Sequence, residues 1–271
     1  MGKKTQHQIL NILINLISQR LITALALFIG TGLLIFFVNL QSSDGFTIIP
    51  KYVYSDSVIS LSTSSTPKPH PLPPTLAQWQ DSSKSGDYFS QVTTTQVGYL
   101  VWSQFPIRVY VETPKAVNEK QAQVWVNGVL QGVQEWSNYL PITVVEQPEI
   151  ADITIAQKQP PLQISPDNNI PRARSAQTTY ELHTSNKVLF HSFTILLSPS
   201  QTGKYLVAAA RHEFGHALGI WGHSPLQTDA LYFSQIRNPS PISARDVNTL
   251  KHVYEQPTSL GWPLLDNSKI N

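Results

Sequence analysis

Two histidines and a glutamate stand at a spacing that suits metal chemistry. Residues 212–224 read HEFGHALGIWGHS, in a chain with only 8 histidines among 271 residues. His212 and His216 are four residues apart, so on a helix their imidazoles share one face and can reach a single ion at about 2.0–2.1 Å. Glu213 lies about 100° further round the helix, which places it to contact a water at the ion rather than to ligate the ion. The pattern predicts a metal site with a carboxylate beside the ion that does not ligate it.

A third histidine follows after a glycine and completes the predicted ligand set. Gly219 has no side chain, so it can end the helix in a sharp turn, often at positive φ. We expect this turn to bring His223 to the same ion as the first two histidines. Three neutral nitrogen ligands leave the fourth position of Zn²⁺ open, which is typical of catalytic rather than structural zinc. A chain of this composition would contain all five residues at these spacings by chance in only about one case in 10⁵.

The pattern His-Glu-x-x-His-x-x-Gly-x-x-His is that of the metzincin metallopeptidases. Over about residues 95–262 the chain resembles this clan and is most similar to bacterial, matrixin-type peptidases, a branch that Ser224 after the third histidine also suits. The resemblance implies an α+β fold, with a twisted mixed β-sheet beside two long helices and a third helix closing a small C-terminal subdomain. It also implies one catalytic Zn²⁺ on the three histidines and Glu213 as the general base of peptide hydrolysis.

One element departs from the metzincin pattern. The family carries a methionine in a tight turn beneath the metal, followed in matrixins by tyrosine, and the matching stretch here reads DALYFS at 229–234. Leu231 takes the methionine's place, and because leucine nearly conserves its volume we expect a cost below about 1.5 kcal/mol and a working site. Tyr232 is expected to line the substrate pocket, to stabilise an oxyanion or simply to pack. Calcium is compatible with the family, but no residue pattern indicates it.

Hydrophobic periodicity predicts the strands that must support this site. Alternating or continuous apolar runs predict five strands, at 106–112, 142–146, 151–157, 178–182 and 191–198. Residues 159–175, rich in proline, asparagine and arginine, are predicted to form a loop. We expect the strand at 191–198 to be the sheet edge above the cleft, where a substrate could add as a further strand. We expect residues 225–242 to shape the pocket for the side chain that follows the cut.

Three helices are predicted from apolar stripes and their end signals. The first begins after the N-cap residue Asn118 and ends before Pro141, and the second runs from near Ser200 to Gly219. The third begins at the capping-box pattern of Ser243 and ends before Pro257. Strands and helices are therefore intermixed around one core.

Residues 21–40 are predicted to cross a membrane. They read LITALALFIGTGLLIFFVNL, carry no charge and would span about 30 Å as a helix, the thickness of a bilayer's hydrocarbon core. Lys3, Lys4 and Arg20 precede them, so the positive-inside rule places the N-terminus in the cytoplasm and everything after residue 40 outside. A cleaved signal peptide is the alternative, although its apolar core would be shorter.

The chain is accordingly divided into five predicted parts. These are a cytoplasmic N-terminus at 1–20, the span at 21–40, a Ser/Thr/Pro-rich linker at 41–94, the metallopeptidase domain at 95–262 and a tail at 263–271. The predicted protein is a single-pass membrane protein with its catalytic domain outside the cytoplasm.

Composition excludes several other chemistries. A net charge of +2 argues against nucleic acid as a partner, since nucleic-acid binders carry a concentrated basic surface. The absence of cysteine excludes a cysteine nucleophile, an iron–sulfur cluster and thiolate-bound zinc. The predicted function is zinc-dependent endopeptidase activity on proteins or peptides, with the lipid bilayer as the second partner. Two alternatives stay open: a non-catalytic, zinc-containing peptide-binding module tethered to the membrane, and a surface protein in which zinc only holds the fold together.

Overall fold

A computed structural model of the chain describes residues 66–115, 117–164 and 171–264. The predicted cytoplasmic segment 1–20, the span 21–40, the first part of the linker and most of the tail lie outside these residues. Within the described ranges, no helix combines the length and the apolar character that crossing a bilayer requires.

One mixed sheet of five strands forms the centre of the described structure. Its strands are, in chain order, β1 (Ile107–Val111), β2 (Ile142–Val144), β3 (Ile153–Gln157), β6 (Ala176–Ser185) and β7 (Val188–Leu197). Two short strands between β3 and β6, β4 (Gln163–Ile164) and β5 (Pro171–Arg172), form a separate pair. The sheet order is β2-β1-β3-β7-β6. β1, β2, β3 and β7 are parallel, whereas β6 runs antiparallel to β7 as its hairpin partner.

Four α-helices occur among the described residues: α1 (Pro74–Gln78), α2 (Glu119–Gln134), α3 (Gly203–Ala217) and α4 (Ala244–Tyr254). The last three correspond to the predicted helices, and α1 is an addition. Asn118 caps α2 as predicted, since its side chain accepts a hydrogen bond from the Gln121 amide at 2.9 Å. Ser243 and Asp246 form the predicted capping box at the start of α4. The α+β class and the mixed sheet are therefore confirmed.

The long helices α2 and α3 pack against each other, and α3 also packs against β6 and β7. Gly132 allows the close approach of the two helices, because a methyl group there would lie 2.6 Å from the Val207 carbonyl oxygen. The apolar residues of α2 that are buried are Ala122, Trp125, Val129 and Val133. The core between the sheet and these helices fixes the position of α3, which carries the candidate site.

The prediction of the sheet edge was wrong. The strand of residues 191–198 belongs to β7, which lies between β3 and β6, and the free edge on this side is β6. Two features of the sequence agree with this order. β7 contains the continuous apolar run Ile195–Leu197, which is typical of an interior strand, whereas apolar and polar residues alternate in β6, which is typical of a strand with one exposed face. The loop predicted at 159–175 is also interrupted, because it includes β4 and β5.

The second half of the predicted linker belongs to the folded unit. Leu76 of α1 is fully buried, and Tyr88 is 2% exposed with its hydroxyl 2.6 Å from Asp246 of α4. Lys68 pairs through its backbone with Thr258. These contacts show that the folded unit begins before residue 95 and includes residues from 66 onward. The sequence did not indicate this, because the few buried apolar residues stand among many serines, threonines and prolines.

Candidate metal centre

The helix α3 and the turn after it bring the three predicted ligands together. His212 and His216 lie one turn apart on α3, with side chains that are almost completely buried. Gly219 follows the end of α3 with φ of +123°, and a methyl group on it would lie 2.7 Å from the Leu100 carbonyl oxygen. Glycine is thus required for both the turn and the close contact. The chain then reverses and returns with His223.

The ligand atoms of these three histidines all lie within 4.8 Å of one another. The Nε2 atoms of His212 and His216 are 3.0 Å apart. Two ligands on one tetrahedral zinc at about 2.05 Å would be separated by about 3.3 Å, so this spacing suits a shared ion. Within the described part of the chain, no second group of this kind combines three histidine or acidic side chains.

Backbone carbonyls fix the tautomer of the first two rings. His212 Nδ1 lies 2.9 Å from the Ala230 oxygen, and His216 Nδ1 lies 2.7 Å from the Ile220 oxygen. A carbonyl oxygen only accepts hydrogen bonds, so each Nδ1 carries a proton and each Nε2 presents a lone pair. Two lone pairs facing each other at 3.0 Å repel unless a cation lies between them. The arrangement is therefore that of a metal ligand pair.

His223 supplies the third nitrogen. Its Nε2 is buried and has no hydrogen-bond partner among the described residues, which is the condition of a ligand atom. Burial lowers the pKa of His223 to about 4, and burial also holds the pKa of His212 and His216 well below the ordinary value. All three rings are thus neutral at neutral pH, as metal binding requires.

Glu213 is completely buried beside this group. Its Oε2 accepts a hydrogen bond of 2.5 Å from the Thr178 hydroxyl on β6, whereas Oε1 has no partner among the described residues. Burial raises the pKa of Glu213 to about 8, opposed by the Thr178 hydrogen bond and by the positive charge of Arg174. One oxygen is therefore held by Thr178, and the other is buried without a partner among the described residues. Because a pKa of about 8 leaves the group mostly protonated at neutral pH, a role as base would require a cation on the neighbouring histidines, whose charge would lower that pKa.

A turn at residues 229–232 supports the histidines from below. The Tyr232 amide bonds to the Asp229 oxygen, and the Ala230 carbonyl in the turn is the one that orients His212. Asp246 of α4 accepts hydrogen bonds from the Ala230 and Leu231 amides at 2.8 and 3.4 Å, which anchors the turn. Leu231 is fully buried against α3. Residues 229–232 of the stretch DALYFS therefore form a turn next to His212, and the equivalence of this turn to the methionine turn of metzincins stays a prediction.

Tyr232 lies at the border of a small cavity of about 30 Å³ next to His212. The segment 225–242 supplies most of the wall, with Tyr205, Ala208 and Ala209 of α3 forming the rest. Tyr232 is partly buried, and its ring lies 4.4 Å from that of Phe233. The position suits a pocket residue, which was one of the three predicted roles.

Several residues of the site were not predicted from the sequence. Thr178, Arg174 and Asp246 contact or influence the site from β6, the segment before it and α4. The only local signal among them was the capping box, which singled out Asp246 for a different reason. The contacts of Thr178 and Arg174 depend on the packing of α3 against β6, and no sequence spacing encodes that packing.

The donor set fits zinc. Three neutral imidazole nitrogens with an orphaned Nε2 and carbonyl-oriented rings are typical zinc ligands, whereas calcium prefers six to eight oxygens. No family model and no curated protein sequence matches this chain. The chemistry of the site itself is therefore the basis for a function.

Proposed function

We propose that the chain is a zinc-dependent endopeptidase of the metzincin type, similar to bacterial matrixins, which hydrolyses peptide bonds in proteins or peptides. One observation carries the proposal. Three imidazole nitrogens lie within 4.8 Å of one another, and Glu213, on the same helix as His212 and His216, has a carboxyl oxygen without a partner among the described residues. A structural zinc site needs four closed ligand positions, and three histidines supply only three.

The ion would be held by His212, His216 and His223. Zinc supplies a Lewis acid that polarises a carbonyl group and lowers the pKa of water. Glu213 then acts as the general base, accepting a proton from the attacking water on Oε1 and returning it to the leaving amine. Thr178 holds Oε2 during both transfers, so the carboxylate does not need to reorient. Tyr232 contacts the substrate at the border of the cavity.

The substrate would bind along the free edge of β6. β6 has no neighbouring strand on its outer side among the described residues, and an extended peptide can pair with such an edge through backbone hydrogen bonds. The exposed part of β6 is its C-terminal half, whereas Ala176 and Thr178, which contacts Glu213, are completely buried. Such pairing provides affinity that tolerates many sequences. The segment 225–242, which lines the small cavity beside His212, would shape the pocket for the side chain that follows the cut.

The proposed location is the membrane surface on the outer side. The uncharged run 21–40 would anchor the chain, with the basic residues before it in the cytoplasm and the peptidase outside. Substrates would therefore be proteins of that compartment.

The direct test compares the full-length chain with Glu213→Gln. The substitution keeps the shape of the side chain and the three ligands but removes the proton acceptor, so bound zinc should stay at one ion per chain. Cleavage of a peptide library should fall about 10²- to 10⁴-fold. Zinc is measured by elemental mass spectrometry, and cleavage is measured with and without a chelator.

Glu149→Gln is the matched control, because Glu149 is an exposed glutamate outside the site. It should cleave like the wild type. Equal cleavage by Glu213→Gln would refute the mechanism. A zinc-loaded wild-type chain that cleaves no denatured protein would instead support the non-catalytic binding module.

A further inference from the structure

Part of the wall of the cavity beside His212 is a segment without regular structure. Residues 233–240 contain no helix or strand, and none of their side chains is buried. Five of them nevertheless line the cavity: Ser234, Gln235, Ile236, Pro239 and Ser240. The burial of apolar side chains, which fixes the helices and strands around the core, therefore contributes little to the position of this segment.

Open space lies behind this part of the wall. Pro239 borders both the cavity and a groove of about 750 Å³ between α2 and α3, and Asn238 borders the groove as well. A closely packed neighbour would resist displacement of the segment, because protein interiors are dense and hard to compress. The groove offers no such support among the described residues, so this part of the wall keeps its place only if directed bonds hold it.

Three hydrogen bonds from side chains of α3 reach the segment. Two of them, from Lys204 and Tyr205, are 3.3 Å long and exposed to solvent. The third differs, because Arg211 Nη1 donates to the Ser240 oxygen at 2.8 Å and this bond is partly buried. Hydrogen bonds from a charged donor are roughly twice as strong as neutral ones, and shielding from water preserves that strength. Arg211 is therefore the strongest of the three attachments.

Glu135, the residue after α2, fixes the guanidinium group of Arg211. Nε and Nη2 of Arg211 donate to the two carboxylate oxygens of Glu135, with Nη2 at 2.8 Å. Only 9% of Arg211 is exposed, and a bidentate pair of this kind leaves the planar group little freedom to turn. Nη1 is thus held toward Ser240. Arg211 connects the end of α2 and the cavity wall to α3 immediately before the first candidate ligand, His212.

We propose that Arg211 is a positioning residue that keeps the pocket for the side chain after the cut small. This inference rests on the proposed function. A cavity of about 30 Å³ has room for a water molecule or a methyl group, but a larger side chain requires the segment to move toward the groove. Because Arg211 holds Ser240, that movement breaks the charge-assisted bond. The preferred substrates are therefore polypeptides with glycine, alanine or serine after the cleaved bond.

The first experiment measures kcat/KM of the zinc-loaded full-length chain on peptides that differ only in the residue after the cut, which is Ala, Ser, Leu or Phe. We expect the wild type to cleave the Ala and Ser peptides about 10- to 100-fold better than the Leu and Phe peptides. Arg211→Met removes the donor to Ser240 and should reduce this preference to less than about threefold while zinc stays bound. A residue that only stabilised the fold would instead lower all four rates by the same factor.

Arg108→Met is the matched control, because Arg108 of β1 pairs with Asp152 through the same two nitrogens, Nε and Nη2. It should keep the preference. If Arg211→Met does not fold, because it leaves the Glu135 carboxylate unpaired, Arg211→Met combined with Glu135→Gln is used, and the preference should be lost in the same way. A wild type without the preference, or an undiminished preference in the Arg211 variants, would refute the proposal.

A measurement without substrate separates this inference from the proposed activity. The chain has no cysteine, so Arg237→Cys provides a single, exposed attachment point for a nitroxide label on the segment. The electron paramagnetic resonance spectrum should become narrower with Arg211→Met, as the segment gains mobility, and stay unchanged with Arg108→Met. A label at Glu149→Cys, outside the site, should respond to neither. Narrowing would support the positioning role even if no peptide were cleaved, and identical spectra would overturn it.

Discussion

Leu231 and Gly215 form a matched pair beneath the metal ligands. Leu231 is fully buried, and a methyl group on Gly215 of α3 would lie 2.6 Å from Leu231 Cδ1 and 2.9 Å from Trp136 Cζ2. The branched end of leucine therefore fills the space that glycine leaves on the helix. If the proposed function holds, this contact would account for a leucine where the metzincin pattern has methionine, because the side chain packs under the helix and its shape suits the space at Gly215.

Gly215→Ala should destabilise the protein by about 1–3 kcal/mol, because the added methyl group overfills the contact with Leu231. Leu231→Met should cost less than about 1.5 kcal/mol and keep the zinc. The double variant Gly215→Ala with Leu231→Ala should cost less than the sum of its parts, since the second change makes room for the first. Urea unfolding of the wild type, Gly215→Ala, Leu231→Ala, their double variant and Leu231→Met measures these free energies. Strict additivity would show that the two side chains do not share this space.

The hairpin of β6 and β7 supports the site and also contains a buried titratable group. His191 of β7 is 4% exposed, and its ring lies 4.1 Å from Trp102 and 5.2 Å from Phe193. Burial lowers the pKa of His191 to about 3, with a smaller contribution from the charge of His183. The unfolded chain takes up a proton on this ring near pH 6.5, whereas the folded protein resists it.

This difference predicts an acid-dependent loss of stability. Between about pH 6.5 and pH 3 the unfolded state binds one more proton at His191, so the free energy of unfolding falls by up to about 1.4 kcal/mol per pH unit as the pH drops. Above pH 6.5 the contribution is fully present. His191→Phe should flatten the slope by that amount, and His183→Phe should flatten it only slightly, because the charge of His183 contributes less than burial does to the lowered pKa of His191. Equal slopes in all three proteins, measured by denaturant unfolding at several pH values, would contradict the prediction.

The elements differ in how well the sequence predicts them. Helices α2 and α4 begin within one residue of their predicted caps, because Asn118 and Ser243 make local hydrogen bonds that depend on neighbours three residues away. The edge position of β6 was missed, since strand order is set by contacts between distant segments. The candidate site shows the same difference. The shared face of His212 and His216 can be predicted from helix geometry alone, whereas the hydrogen bond from Thr178 to Glu213 joins residues that are 35 positions apart in the chain.

At the scale of the whole molecule, the segment from residue 66 to residue 94 is part of the folded unit. Trp79 Nε1 donates to Asn248, Tyr88 contacts Asp246, and the Thr93 amide bonds to the Trp221 oxygen close to His223. Gly222 is packed so tightly against this segment that a methyl group on it would overlap the Gln91 oxygen. The segment therefore supports both α4 and the return of the chain to the third ligand.

Removing this segment should destabilise the metal centre. A chain that starts at residue 95 loses the burial of Leu76 and Tyr88, each worth about 1.5–3 kcal/mol, and leaves Asp246 without its tyrosine partner. We expect it to unfold at a much lower temperature and to bind less than one zinc per chain. A chain that starts at residue 66 should behave like the full-length protein. Circular dichroism and zinc analysis check both, and identical melting of the two fragments would show that the segment is dispensable.

Neither the three candidate histidine ligands nor the turn that contains Leu231 includes sulfur, and this affects how the site responds to oxidants. Peroxide attacks cysteine and methionine before other side chains, and it converts a buried methionine into a polar sulfoxide that disrupts packing. This chain has no cysteine, and its one methionine is Met1, far along the chain from the site. Neither the ligands nor the turn beneath them offers a sulfur atom to oxidise, so the centre should keep its metal in surroundings that would inactivate a thiolate site.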